Sequence, residues 1–144
     1  MVGNLAASQA VAANRLQAVN PPGVSRSPVY SHAIIAPAGG RTVYVSGQLG
    51  IDPEGRIVSG YAAQVKQAYA NLAAVLAGAG ARPEDVVKLT VLIVDHGEEK
   101  LAPLREASAA LFGSHLPAST LHPVPRLARE GLLFEVEAIA VIPE

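Results

Sequence analysis

The chain has 144 residues, half of them hydrophobic, so it is the size of one domain with ample core material, which excludes wholesale disorder. Eleven Lys and Arg against twelve Asp and Glu leave a net charge of −1, which argues against a general nucleic-acid or anionic-membrane binder. The absence of cysteine removes disulfides, thiolate metal sites and cysteine nucleophiles.

Residues 1–19 are Ala-rich, with no early Lys or Arg and no compact apolar stretch, and read as a tail or peripheral helix rather than a secretory signal. No stretch approaches the roughly 18 apolar residues of a membrane span. A soluble, cytoplasmic protein is the expectation. Asn20-Pro21-Pro22-Gly23 separates this segment from a domain over 20–144, because two prolines fix φ and remove donors. Tyr30 to Ala36 then reads as a strand, Pro37-Ala38-Gly39-Gly40 as a hairpin turn, and Thr42 to Leu49 as the return strand. In that return strand Val43, Val45, Gly47 and Leu49 alternate with Tyr44, Ser46 and Gln48. Asp52-Pro53-Glu54-Gly55 is a second turn.

A long helix follows, with Ser59 as its expected N-cap and Gly78 or Gly80 at its stop; Val65, Tyr69, Leu72, Val75, Leu76 and Ala79 form one stripe. Val86 to Val94 is a β-branched strand. Leu101 to Phe112 is a second helix with Pro103 in its first turn and Gly113 at its end. Strands over Ser119 to Val124 and Leu132 to Ile142 complete the order β-β-α-β-α-β-β.

Two helices with single apolar stripes cover one face of one sheet. The other face carries Leu133, Ile139 and Val141 beside Tyr44, Ser46, Gln48, Lys88, Thr90, Glu135 and Glu137. It is too aliphatic for water, which points to another subunit, and its glutamates suit a small-molecule site. Phosphate-loop, dinucleotide-fold and H-E-x-x-H signatures are absent, and the four histidines, His32, His96, His115 and His122, share no ligand-like spacing, so no metal is expected. Scattered basic residues and few aromatics offer no stacking platform for RNA.

Tyr30-Ser31-His32-Ala33, Val43 to Gln48, Asp52 to Gly55, Asn71-Leu72, Asp85 to Val91, Pro117-Ala118 and Phe134 to Ala140 together resemble the YjgF/RidA family, in order over roughly Tyr30 to Val141. The resemblance implies a chorismate-mutase-like (ferredoxin-like) α+β protomer in a homotrimer, with small-molecule sites between subunits. It also implies hydrolysis of enamines or imines such as 2-iminopropanoate, without a cofactor and with no nucleic-acid or membrane partner. Glu135 matches the glutamate that orients the water, Tyr30 the tyrosine at the pocket edge, and Ser46 and Gly47 the pocket-lining segment. The family's deaminases carry an arginine after Pro-Ala, which binds the substrate carboxylate by two hydrogen bonds. Here Ser119 holds that position, so a substrate other than 2-iminopropanoate is expected. His122, Arg126 and Arg129 follow it, of which His122 is kept as a substrate contact. Two readings of Glu135 stand: a site carboxylate, or an ion pair with Lys88 across the sheet. A regulatory trimer that binds without turnover is the alternative function, and an endoribonuclease the third.

Overall fold

In the computed structural model, which describes residues 15–144, the main elements are β1 (Gln17–Val19), β2 (Ala33–Ile35), β3 (Arg41–Leu49), α1 (Tyr61–Gly78), β4 (Val86–Val94), α2 (Leu101–Phe112), β5 (Ala118–Val124) and β6 (Phe134–Ile142). Four strands form a sheet in the order β3-β6-β4-β5. β6 pairs antiparallel with β3 and β4, while β5 lies parallel to β4 and is reached through α2, as a parallel pair requires a crossover. No helix among the described residues is long and apolar enough to cross a membrane.

Period-two alternation decides which side chains enter the core. On β4, Leu89, Val91 and Ile93 are buried; on β6, Phe134, Val136, Ala138 and Ala140 are. α1 lays Val65, Ala68, Tyr69, Leu72 and Leu76 on that face, and α2 adds Phe112 with Leu104 and Leu111 beside it. Each large side chain buried there contributes about 1.5–3 kcal/mol. Both helices thus lie on one face, as their stripes predict.

Several local expectations change. β2 does not form a hairpin with β3; it pairs with β1 in a separate two-stranded ribbon, and β3 pairs with β6. Pro37 supplies no N–H where the hairpin ladder would start. Ser31 N–H donates to the Pro117 carbonyl and His32 N–H to Asn20 Oδ1, which commits the chain before β2 elsewhere. Gln17–Val19, expected in the tail or peripheral helix, is therefore a strand; the rest of that segment, 1–14, lies outside the described residues. Ser59 does not cap α1. The cap position is Gly60 at φ 88°, a left-handed conformation that suits glycine, and no side chain bonds there. Val75 is partly exposed rather than in the stripe, whereas the polar Gln64 is buried. The turn at Asp52 forms as expected, its carboxylate accepting from the Glu54 and Arg56 amides and from Arg56 Nε. These bonds, led by the Arg56 amide, hold the Asp52 pKa down.

Candidate functional site

The alternation expected through β3 breaks at Ser46-Gly47. Val45 pairs with Ala138 and Gln48 with Val136, so two residues of β3 face one of β6. This bulge bends the strand and frees one residue from the ladder. Leu49 consequently falls opposite Glu135. The Glu135 side chain lies directly over Gly47: a Cβ there would collide with Oε1 and stand 2.6 Å from Cδ. A side chain at position 47 would push the Glu135 carboxylate from this place.

Glu135 is half-buried and makes no hydrogen bond or ion pair among the described residues. The ion pair with Lys88 does not form; Lys88 Nζ instead donates to Thr120 Oγ1 at 2.5 Å. Burial raises the Glu135 pKa first, and the like charge of Glu137 adds to it. An unpaired carboxylate with a raised pKa, facing outward from a sheet, is a group equipped to accept a proton from water.

Two polar side chains hold this arrangement from beneath. Gln64 of α1 donates through Nε2 to the Val58 and Gly131 carbonyls, and its Oε1 accepts from the Leu133 amide. It thereby ties the start of α1 to the approach of β6, two residues before Glu135. Asn71 Nδ2 donates to the Leu49 and Ile51 carbonyls and pins the end of β3. Sequence reasoning missed Gln64; its signal was an amide beside Val65 on an otherwise apolar stripe.

The other expected residues divide between the two faces of the sheet. Ser46, in the bulge, is exposed and accepts from Gln48 Nε2 at its carbonyl. Tyr30 and Ser119 instead line a cavity of about 290 Å³ on the helix-bearing side, between α2, β4 and β5. Its apolar wall includes Leu89, Val91, Leu101, Leu104 and Phe112. Tyr69 reaches it from α1, its hydroxyl bonded to Ser108 and its pKa pushed up to about 12 by burial. His115, held through Nε2 on the Val86 carbonyl, and Arg105 also line it. Tyr30 is steered to the mouth by the Ser31–Pro117 bond and by an edge-on contact with His32, centroids 5.6 Å apart.

His122 does not line this cavity. It is exposed and pairs with Leu92, which in turn pairs with Glu135, so His122 shares the face of Glu135, not that of Ser119. Two strand spacings, roughly 10 Å, separate them. Arg126 and Arg129 are exposed on the loop after β5 and lie outside the cavity lining. No group of His, Asp and Glu among the described residues is arranged to hold a metal ion.

A family profile described as endoribonuclease L-PSP matches residues 24–142. Among curated proteins, the 2-iminobutanoate/2-iminopropanoate deaminase of Rattus norvegicus is 40% identical over 114 residues, 78% of this chain and 79% of that one. A RutC family protein of Pyrococcus abyssi is 41% identical over 113 residues, 77% of this chain and 84% of that one. Among solved structures, a Rid-family protein of unknown function from Yersinia pestis aligns with a TM-score of 0.82 at 34% identity, covering 89% of this chain and 99% of that chain.

Proposed function

Because the chain belongs to the YjgF/RidA family and has its chorismate-mutase-like α+β fold, we propose that it hydrolyses an imine or enamine, or a related C–N small molecule, in a pocket completed between subunits of a homotrimer. The observation that carries this reading is the free Glu135 carboxylate seated on Gly47. Glu135 accepts a proton from water as the oxygen attacks the C=N carbon and passes it to the imine nitrogen. It then takes the hydroxyl proton of the tetrahedral adduct and delivers it to the amine nitrogen, so that the carbonyl forms, ammonia leaves and the carboxylate is regenerated. Atoms balance with water as the sole co-reactant, so the step calls for no cofactor.

The division of residues between two faces supports an intersubunit site. Glu135, Ser46 and Gly47 lie toward the β3 edge on the open face, while Tyr30 and Ser119 lie toward the β5 edge on the helix side. One chain cannot bring them together through its own sheet. Copies associated head to tail would bring them together, and a threefold rotation between copies would close the ring.

The test generates 2-imino acids in situ from amino acids with an amino-acid oxidase and follows ammonia release. The chain should accelerate hydrolysis, and Glu135→Gln should lose about 10²- to 10⁴-fold of that acceleration. Equal rates for the two proteins would overturn the reading in favour of a binding trimer. The profile's description favours a nuclease as a second reading; RNA cleavage that persists through rigorous purification and is lost in Glu135→Gln would support it.

A further inference from the structure

We infer that the helix-side cavity is a subsite for a planar aromatic ring bearing an N–H or O–H donor, as in an indole or a phenol, and that Nδ1 of His115 accepts from that donor. The inference concerns what the cavity binds. It goes beyond the hydrolase reading and does not depend on it.

The chain has only six aromatic side chains, four Tyr and two Phe, and Tyr30, Tyr69 and Phe112 among them line this one cavity. Tyr69 and Phe112 belong to a continuous row of rings. Tyr61 meets Phe134 edge-on with centroids 6.1 Å apart, and Phe134 stacks on Tyr69 at 6.0 Å. Tyr69 meets Phe112 edge-on at 6.4 Å, and Phe112 meets the His115 ring at 6.4 Å. Each step lies within the roughly 4.5–7 Å over which rings attract one another. The row runs from the core, where Phe134 is fully buried, to the cavity wall at Phe112 and His115. A planar ring in the cavity extends it, with Tyr30 at the mouth and Leu89 and Val91 along β4. Room is sufficient: about 150 Å³ takes a benzene, so about 290 Å³ takes a bicyclic ring.

His115 sets the polarity of the ligand's edge. Its amide donates to the Phe112 carbonyl just beyond α2, and its Nε2 lies 2.7 Å from the Val86 carbonyl oxygen. A carbonyl only accepts, so the neutral ring carries its hydrogen on Nε2 and presents Nδ1 as an acceptor. Nδ1 has no partner among the described residues, and it is not sealed off, because the one buried side-chain polar atom without a partner among them is His96 Nδ1. No Asp or Glu lines the cavity to compete for a donor. An acceptor at the end of a row of rings selects a ring with a hydrogen to give.

The chain has no Trp, so the fluorescence of added indole reports binding without interference. Indole should bind with its emission shifted to the blue. Benzofuran, the same shape with oxygen in place of N–H, should bind about fivefold more weakly in displacement titrations, the worth of one ordinary hydrogen bond. Phenol should bind about threefold more tightly than cyclohexanol, through the ring contacts alone. His115→Lys still donates to the Val86 carbonyl but offers no acceptor, and it should bind indole and benzofuran equally. Ala109→Phe, at an exposed position of the cavity wall, should fill the space and abolish indole binding. Absence of indole binding, equal affinities within either wild-type pair, or indole binding that survives Ala109→Phe would each overturn the inference. If His115→Lys does not fold, the wild-type pairs decide it. None of these readouts involves turnover, so failure of the hydrolase reading leaves the ring subsite standing.

Discussion

Glu135 is the residue at which stability and activity are set against each other. Its pKa is raised by burial and then by Glu137, so the folded chain binds that proton more tightly than the unfolded chain. Below the ordinary carboxylate range the group is neutral in both states and contributes nothing. As pH rises through the folded value, stability falls, and the loss persists at neutral pH. Glu135→Gln should therefore melt at or slightly above the wild type at pH 7, with the difference vanishing in acid, as calorimetric scans across pH would show. The hydrolytic rate should decline on the acid side at a pH above the ordinary carboxylate range, because the base must be ionised. Gly47 is coupled to it by contact. Gly47→Ala should displace the carboxylate, and activity should fall at least about tenfold, since positional errors near an ångström are that costly. Unchanged turnover in Gly47→Ala would show that the carboxylate's place over the bulge is immaterial.

Between elements, the joint that matters is α1 against the approach of β6. Gln64 is 1% exposed and satisfies one amide and two carbonyls that have no regular ladder to join. Gln64→Leu keeps the bulk but strands those groups. The expected cost is about 3 kcal/mol, from roughly 1–3 kcal/mol for each group left unpaired. For a chain of this size that lowers the melting temperature by roughly 10 °C. Activity should fall as well, because Leu133 and then Glu135 follow from the same bond. A variant that melts with the wild type would mean that water or a shifted chain replaces the amide.

For the whole molecule, the proposed trimer would form through the open face. Tyr44 is 78% exposed there, opposite Ile139. A large aromatic left in water beside an aliphatic row is the composition of an interface core. Light scattering at micromolar concentration should return three times the mass of the chain. Ile139→Asp should return the monomer mass, because an unpaired charge buried between subunits costs several kcal/mol. A monomer mass for the wild type would remove the trimer and with it the intersubunit pocket.

How much of this was legible beforehand depended on the range of the forces involved. β4, α2 and β6 were readable almost to their ends, since runs such as Val86–Val94 and the stripe from Leu101 to Phe112 repeat at the period of one element, and both helices' side of the sheet followed from the same alternation. Family membership was readable from motifs in order, and with it Glu135 as the acid to examine. The partner of each strand was not. β2 left β3 for β1 because distant groups, Asn20 and Pro117, claimed the backbone beside it. The bulge that seats Glu135 on Gly47 was equally hidden, since pairing across β3 and β6 joins residues nearly a hundred positions apart and a one-residue slip leaves composition and periodicity almost unchanged. His122 and Ser119, three apart in one strand, fall on opposite faces by the strand's own alternation. Tyr30 and Ser119 came to line one cavity with α2 because a parallel crossover returned α2 over β5. Local pattern determined the elements; only closure of the chain on itself decided which side chains share a space.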